Sequence, residues 1–204
     1  MNSNYANSVF INCPFDDAYS PIFKAIVFTI LDCGYIARSA REIDDSSEVR
    51  IDKIIKIISQ CQYGVHDISR TDLDEKTNLP RFNMPFELGI FLGAKRFGPA
   101  LQKRKICLIL DRSPHRFQSF ISDIAGQDIQ SHNNEESEAV KVTRNWMRTA
   151  SGRATIPGGS EILRRYRLFR LQLPIFCEKL KLTMDEMVFN DYTAIVWEWL
   201  KLNP

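Results

Sequence analysis

Ser8-Val9-Phe10-Ile11-Asn12, followed after a short turn by Tyr19 to Asp32 with Pro21 near its start, is the pair of segments whose reading decides the fold. The first is a continuous β-rich run of the kind that fills a buried strand. The second has helical periodicity, with proline placed where a helix tolerates it. The same alternation recurs along the chain. Gly34 closes the first helix, and Tyr35-Ile36-Ala37-Arg38 reads as a second strand. An acidic loop from Glu42 to Glu48 leads to a second helix, Arg50 to Gln60, whose Ile51, Ile54, Ile55 and Ile58 share an i, i+3, i+4, i+7 face. Tyr63-Gly64-Val65-His66-Asp67-Ile68 is a third strand. A polar stretch from Ser69 to Arg81, carrying Asp72, Asp74 and Glu75, precedes a helix that begins near Pro85 and runs through Phe97. Lys105-Ile106-Cys107-Leu108-Ile109-Leu110, ending at Asp111, is the fourth strand. These β-α units predict an α/β fold, a flavodoxin-like or Rossmann-like parallel sheet with flanking helices. Its right-handed crossovers leave a crevice where the strand order reverses, usually between the carboxyl ends of the first and third strands.

Beyond Asp111 the strand signal fades, and helices are expected over His115 to Ile124, Glu135 to Thr149, Ile162 to Leu182 and Tyr192 to Leu202. Pro174 falls inside the third of these, so Leu171 to Ile175 reads as a kink or a junction between two helices. Ser151-Gly152-Arg153 and Ile156-Pro157-Gly158-Gly159 give the clearest loop signal. The chain therefore divides into an α/β domain, residues 1–125, and a mainly helical extension packed on it, residues 126–204. Charge sorts along the same axis: the net +2 is the sum of +8 over residues 140–181 and −6 over the remainder. Arg164-Arg165-Tyr166-Arg167-Leu168-Phe169-Arg170 is the densest basic run. Nucleic acid is one reading of it, since phosphates attract clustered arginines with interleaved aromatics. The favoured reading is a helix with an apolar side, its arginines solvated or paired with the acidic half.

Composition narrows the class. In 204 residues, 44% hydrophobic and 25% charged with nine Gly and nine Pro, there is enough apolar material for a real core and no biased tract. The longest apolar run is interrupted within a few residues, far short of the roughly 20 needed to cross a bilayer, so no membrane partner is expected. Met1 to Ser8 has neither a basic region nor an apolar stretch, which argues against a secretory signal and makes the cytoplasm the expected location. Cys13, Cys33, Cys61, Cys107 and Cys177 occur singly, suiting buried free thiols better than disulfides or zinc. His66, His115 and His132 are far apart in sequence, so no local metal motif is expected and only folding could bring them together.

Three segments end at the predicted crevice: Asn12-Cys13-Pro14-Phe15-Asp16-Asp17, His66-Asp67-Ile68-Ser69-Arg70, and Phe82-Asn83-Met84-Pro85-Phe86-Glu87-Leu88-Gly89. Glu87 is the most informative residue. Leu88 to Ala94 carries no charge, yet Glu87 shares its helix face with Ile90, Phe91 and Ala94, which sets a carboxylate at the sheet-facing edge of an apolar helix. Gly89 and Gly93 would let that helix lie close to the sheet. An alternative reading makes Met84 the N-cap and Pro85 N1, so that Glu87 at N3 merely complements the helix end. Asp67 at a strand end suits ribose or base binding, or bonds to loop amides. Arg38, Arg41 and Arg81 are candidate pyrophosphate holders, and Phe15, Tyr19 and Phe82 candidate stacking surfaces. Cys13 and His66 read better as packed core groups. No G-x-G-x-x-G loop and no G-x-S-x-G elbow occurs, and a receiver-like pocket of Asp16, Asp17, Asp67 and Lys105 is disfavoured by the residues between strand end and acidic pair.

Val9-Phe10-Ile11-Asn12 followed by Asp16-Asp17, a strand ending in Asp67, and Asn83-Met84-Pro85-Phe86-Glu87-Leu88-Gly89 resemble the bacterial TIR-like and nucleoside 2-deoxyribosyltransferase-like group of Rossmann-like N-glycosidases. The similarity covers about residues 8 to 111, and the F-E-L-G helix start is its most specific element. The resemblance implies that Glu87 is the catalytic residue at an N-glycosidic bond. Asn12, Cys13, Pro14, Phe15, Asp16, Asp67, Ser69, Arg81, Phe82, Asn83 and Met84 would then surround the substrate. In the TIR branch that substrate is NAD, cleaved or cyclised without a further cofactor, often in antiphage defence or nucleotide signalling. In the transferase branch bases are exchanged on deoxyribonucleosides. A non-catalytic nucleotide-sensing module is the third reading. Because an always-active NAD-consuming enzyme is toxic, homo-oligomerisation or a regulatory protein partner is expected to complete the site.

Overall fold

The computed structural model describes residues 4–73 and 78–204; Asp74 and Glu75 lie outside them. Five parallel strands form one sheet: β1 Ser8–Asn12, β2 Ile36–Ser39, β3 Tyr63–Asp67, β4 Ile106–Asp111 and β5 Ile129–Ser131, in the order β2-β1-β3-β4-β5. The helices are α1 Ser20–Asp32, α2 Arg50–Ser59, α3 Asn83–Phe97, α4 Glu136–Ser151, α5 Gly159–Leu180 and α6 Phe189–Leu202. The expected doubly wound α/β architecture is present, and its order reverses between β1 and β3. There Asn12 and His66 are register partners at the carboxyl edge.

Side chains alternate across the pleat and so feed two cores. Val9, Ile11, Val65, Leu108 and Leu110 face one side with α1 and the later helices, while Phe10 joins Ile54, Ile57, Ile58 and Phe91 on the other. Helix α1 is apolar nearly all round because it is covered twice. Phe28 packs at 5.3 Å from Tyr166, 5.2 Å from Phe169 and 5.8 Å from Trp199, so α5 and α6 form a layer outside α1. The extension therefore shares one core with the sheet, and β5 belongs to that sheet although it lies beyond residue 125.

Several local expectations change. His115 to Ile124 is not a helix but two short 3-10 turns, Arg116–Ser119 and Ser122–Ile124, too short to bury a continuous helical face. Helix α5 runs through Pro174 without a junction between helices. The buried seam of α2 is Ile54, Ile57 and Ile58, set by Phe10 and Phe91, and Ile55 is left exposed. The glycine that permits close packing is Gly64 of β3. A Cβ there would stand 2.7 Å from His66 Nε2 and 2.8 Å from the Phe91 ring, whereas one on Gly89 or Gly93 would meet nothing within 4 Å. Among the described residues no helix is long and apolar enough to cross a membrane.

Candidate active site

The site is built where β1, β3 and the start of α3 converge. The Asn12 amide nitrogen donates to Met84 O at 2.8 Å and lies 3.2 Å from His66 Nδ1. Because a carbonyl only accepts, the Met84 bond fixes which end of the amide is nitrogen, and His66 must accept through Nδ1. Burial holds the His66 imidazole down at about 3, so it is neutral. Asn12 thereby ties the two switch-point strands to the helix that carries Glu87.

Glu87 is 5% exposed and has no hydrogen-bond partner among the described residues. Burial pushes its carboxyl up to about 7, against the opposing field of Arg50 at the start of α2. The capping account of this residue does not hold. Phe82 is the N-cap, which makes Asn83 N1 and places Glu87 at N5, beyond the free amides of the first turn. The negative fields of Asp67 and Glu87 reach Cys13, whose thiol is driven well up, first by burial and then by Asp67. Cys13 is accordingly a neutral thiol, without thiolate character.

Asp67 has the opposite environment. It is fully buried, and its Oδ2 accepts from Tyr19 Oη at 2.8 Å while its Oδ1 accepts from the Ser69 N–H at 2.8 Å. His132 Nε2 stands 2.9 Å from the same Oδ2. The Asn134 N–H donates to His132 Nδ1 at 3.0 Å, which leaves the ring proton on Nε2; that nitrogen lies close to Asp67 but is not aligned for a hydrogen bond to it. Tyr19, expected as a stacking surface, is thus a donor in this knot. Arg116 braces the turn after β3 with bonds to Ile68 O at 2.9 Å and Ser69 O at 3.0 Å and to Asp111 Oδ1 at 2.9 Å.

The remaining candidates divide. Cys13 and Pro14 are buried beside the crevice, and Ser69 is buried with its Oγ unpartnered among the described residues. Met84 is half-buried and contributes its carbonyl. Phe82 and Asn83 stand exposed at the rim, where Phe86, one helical turn on, is exposed too. Asp16 Oδ1 accepts from the Tyr19 N–H at 3.0 Å and from Arg70 at 3.3 Å. With Arg70 and Arg81 it lines a hollow of about 260 Å³. Phe15 turns away, packed edge-on to Phe23 and beneath the Arg41 guanidinium at 5.1 Å. Arg38 is engaged by both oxygens of Glu42, so neither it nor Arg41 stands free for a pyrophosphate. Lys105 does not join the acids: it lies at the amino edge of β4, with Nζ bonded to Ile58 O at 2.6 Å. His132, Phe86 and Arg116 were not singled out by sequence reasoning. The first two had visible signals, a histidine just past a short β run and an aromatic next to the lone acid.

The fold is that of a doubly wound α/β protein, with the buried carboxyl of Glu87 near its switch point unpartnered among the described residues. No family model, curated protein or solved structure matches the chain.

Proposed function

We propose that the protein acts on the N-glycosidic bond of NAD or a related nucleotide, with Glu87 as the catalytic carboxylate. The observation that carries this reading is the isolation of Glu87, buried at the switch-point crevice with no donor satisfying it and a carboxyl that titrates at about 7. A carboxylate largely withdrawn from bulk water and without a protein donor interacts strongly with positive charge brought beside it. Nicotinamide in NAD is already a cationic leaving group and departs without a general acid. Glu87 then stabilises the oxocarbenium-like sugar, or bonds to its anomeric carbon before a second nucleophile arrives.

Asp67 is the reason to prefer NAD over a deoxyribonucleoside. A neutral purine must be protonated as it leaves, which calls for a second acid. Of the two acids that could serve, Asp67 is committed to the Tyr19 hydroxyl and the Ser69 N–H, and Asp16 accepts from the Tyr19 N–H and from Arg70. A sensing module is the weaker alternative, because the capping role that would make Glu87 structural is absent at N5. The test is chromatographic identification of products after incubation with NAD and, separately, with deoxynucleosides. Release of nicotinamide by the wild type and not by Glu87→Gln is expected. Equal turnover in both, or base exchange on deoxynucleosides alone, overturns the reading.

A further inference from the structure

We infer that the helical extension supplies a phosphate-binding subsite, with Arg70 and Arg167 receiving the phosphate-bearing half of a nucleotide whose glycosidic bond lies at Glu87. This rests on the reading above and names the substrate class: a nucleotide carrying phosphate, as opposed to a bare nucleoside.

Two hollows meet at the β1–α1 turn. The smaller, about 260 Å³, runs from Arg81 just before α3 past Asp72, which Arg112 holds at 2.6 Å, to Asp16, Ala18 and Arg70. The larger, about 470 Å³, shares Ala18 and Arg70 and continues between the start of α4 and the flank of α5, ending against Tyr166, Arg167 and Arg170. Together they have the size of ordinary small-molecule sites and lead away from the α3 start toward the extension.

Charge decides what the larger hollow takes. Of the four arginines in the basic run of α5, Arg164 is bonded to Glu161 at 2.8 Å, Arg165 to Asp32 at 3.1 Å, and Arg170 to Glu136 at 2.6 Å. Arg167 is exposed and has no partner among the described residues, and it lines the hollow opposite Arg70. Glu136 is paired with Arg170 and Arg70 meets Asp16 at 3.3 Å, so Arg167 is the guanidinium of this wall left without an acid among the described residues, with Glu135 exposed to solvent. Planar guanidinium groups across a half-enclosed cavity suit phosphate oxygens, which they bind in bidentate fashion.

The wall is also fixed in place. Asn133 and Asn134 adopt left-handed backbone, with φ of 52° and 56°, and the Asn134 N–H is held by His132, whose other nitrogen lies close to Asp67. The start of α4 is thereby set beside the end of β3.

The experiment is calorimetric titration of the full chain with ADP-ribose, inorganic pyrophosphate and adenosine, comparing wild type, Arg167→Ala and Arg164→Ala. Arg164→Ala removes the same charge from the same helix away from the hollow. Arg167→Ala should weaken both phosphate ligands about tenfold or more and leave adenosine unchanged, with Arg164→Ala close to wild type. Equal affinities in Arg167→Ala and wild type, an equal loss in the two variants, or no binding of either phosphate compound by the wild type overturns the subsite. NAD cleavage that persists alongside such a result leaves the glycosidic reading standing. A phosphate effect at Arg167 without NAD turnover keeps the subsite and removes that reading.

Discussion

Two buried carboxyls flank Cys13 near the switch point and have opposite fates. Asp67, at the end of β3, gathers a tyrosine hydroxyl and a backbone amide, each at 2.8 Å. Glu87, on α3, gathers none among the described residues and is held up at about 7 by burial. Burial with partners makes a carboxylate a structural pin, whereas burial without them leaves its charge unspent and available to a cationic transition state.

The contrast can be broken by exchanging effects. Glu87→Gln should cost at least roughly 10²-fold in turnover while leaving the fold intact, as measured by nicotinamide release and circular dichroism. Asp67→Ala should do the reverse and destabilise by about 1–3 kcal/mol in urea unfolding, because it strands the buried Tyr19 hydroxyl and frees the Ser69 N–H. An Asp67→Ala protein as stable as wild type would dissolve the distinction.

A pH series sharpens it further. Glu87 titrates at about 7 in the folded chain against an ordinary 4.5, so between those values the folded state holds a proton the unfolded state has released. Stability contributed at this position therefore falls as pH rises through that window, by about 3 kcal/mol in all. Glu87→Gln should flatten the slope, so unchanged slopes in chemical denaturation at pH 5 and pH 8 would place the carboxyl in contact with water. The smallest effect belongs to the third acid, Asp16, which caps the turn at Tyr19 and meets Arg70 at the surface. Asp16→Ala should cost about 1 kcal/mol, read as a small shift of the urea midpoint.

The sheet was legible because each strand is a compact apolar run and the helices between them carry a 3.6-residue period. Glu87 was legible for the same reason, as the lone charge in an apolar helix. What escaped was short or distant. Ile129-Gln130-Ser131 is three residues with a polar centre, a strand only because Asp111 and its neighbours pair with it. Pro85 suggested a helix beginning two residues later than Asn83, and that offset alone kept the capping account of Glu87 open. The state of Asp67 depended on Tyr19, 48 residues away, and on His132 past that unread strand, so no local pattern distinguished a pin from a ligand group. The arginines of α5 posed the same problem, since their partners Asp32 and Glu136 lie on other helices.

The rate of nicotinamide release from NAD, followed from pH 5 to pH 9 in wild type and Glu87→Gln, tests the central claim most directly. The account predicts wild-type kcat/KM rising to half its plateau near pH 7, where the buried carboxyl ionises, and a variant at least roughly 10²-fold slower across the range. Equal rates in the two proteins, or no nicotinamide released by the wild type at any pH, would contradict it.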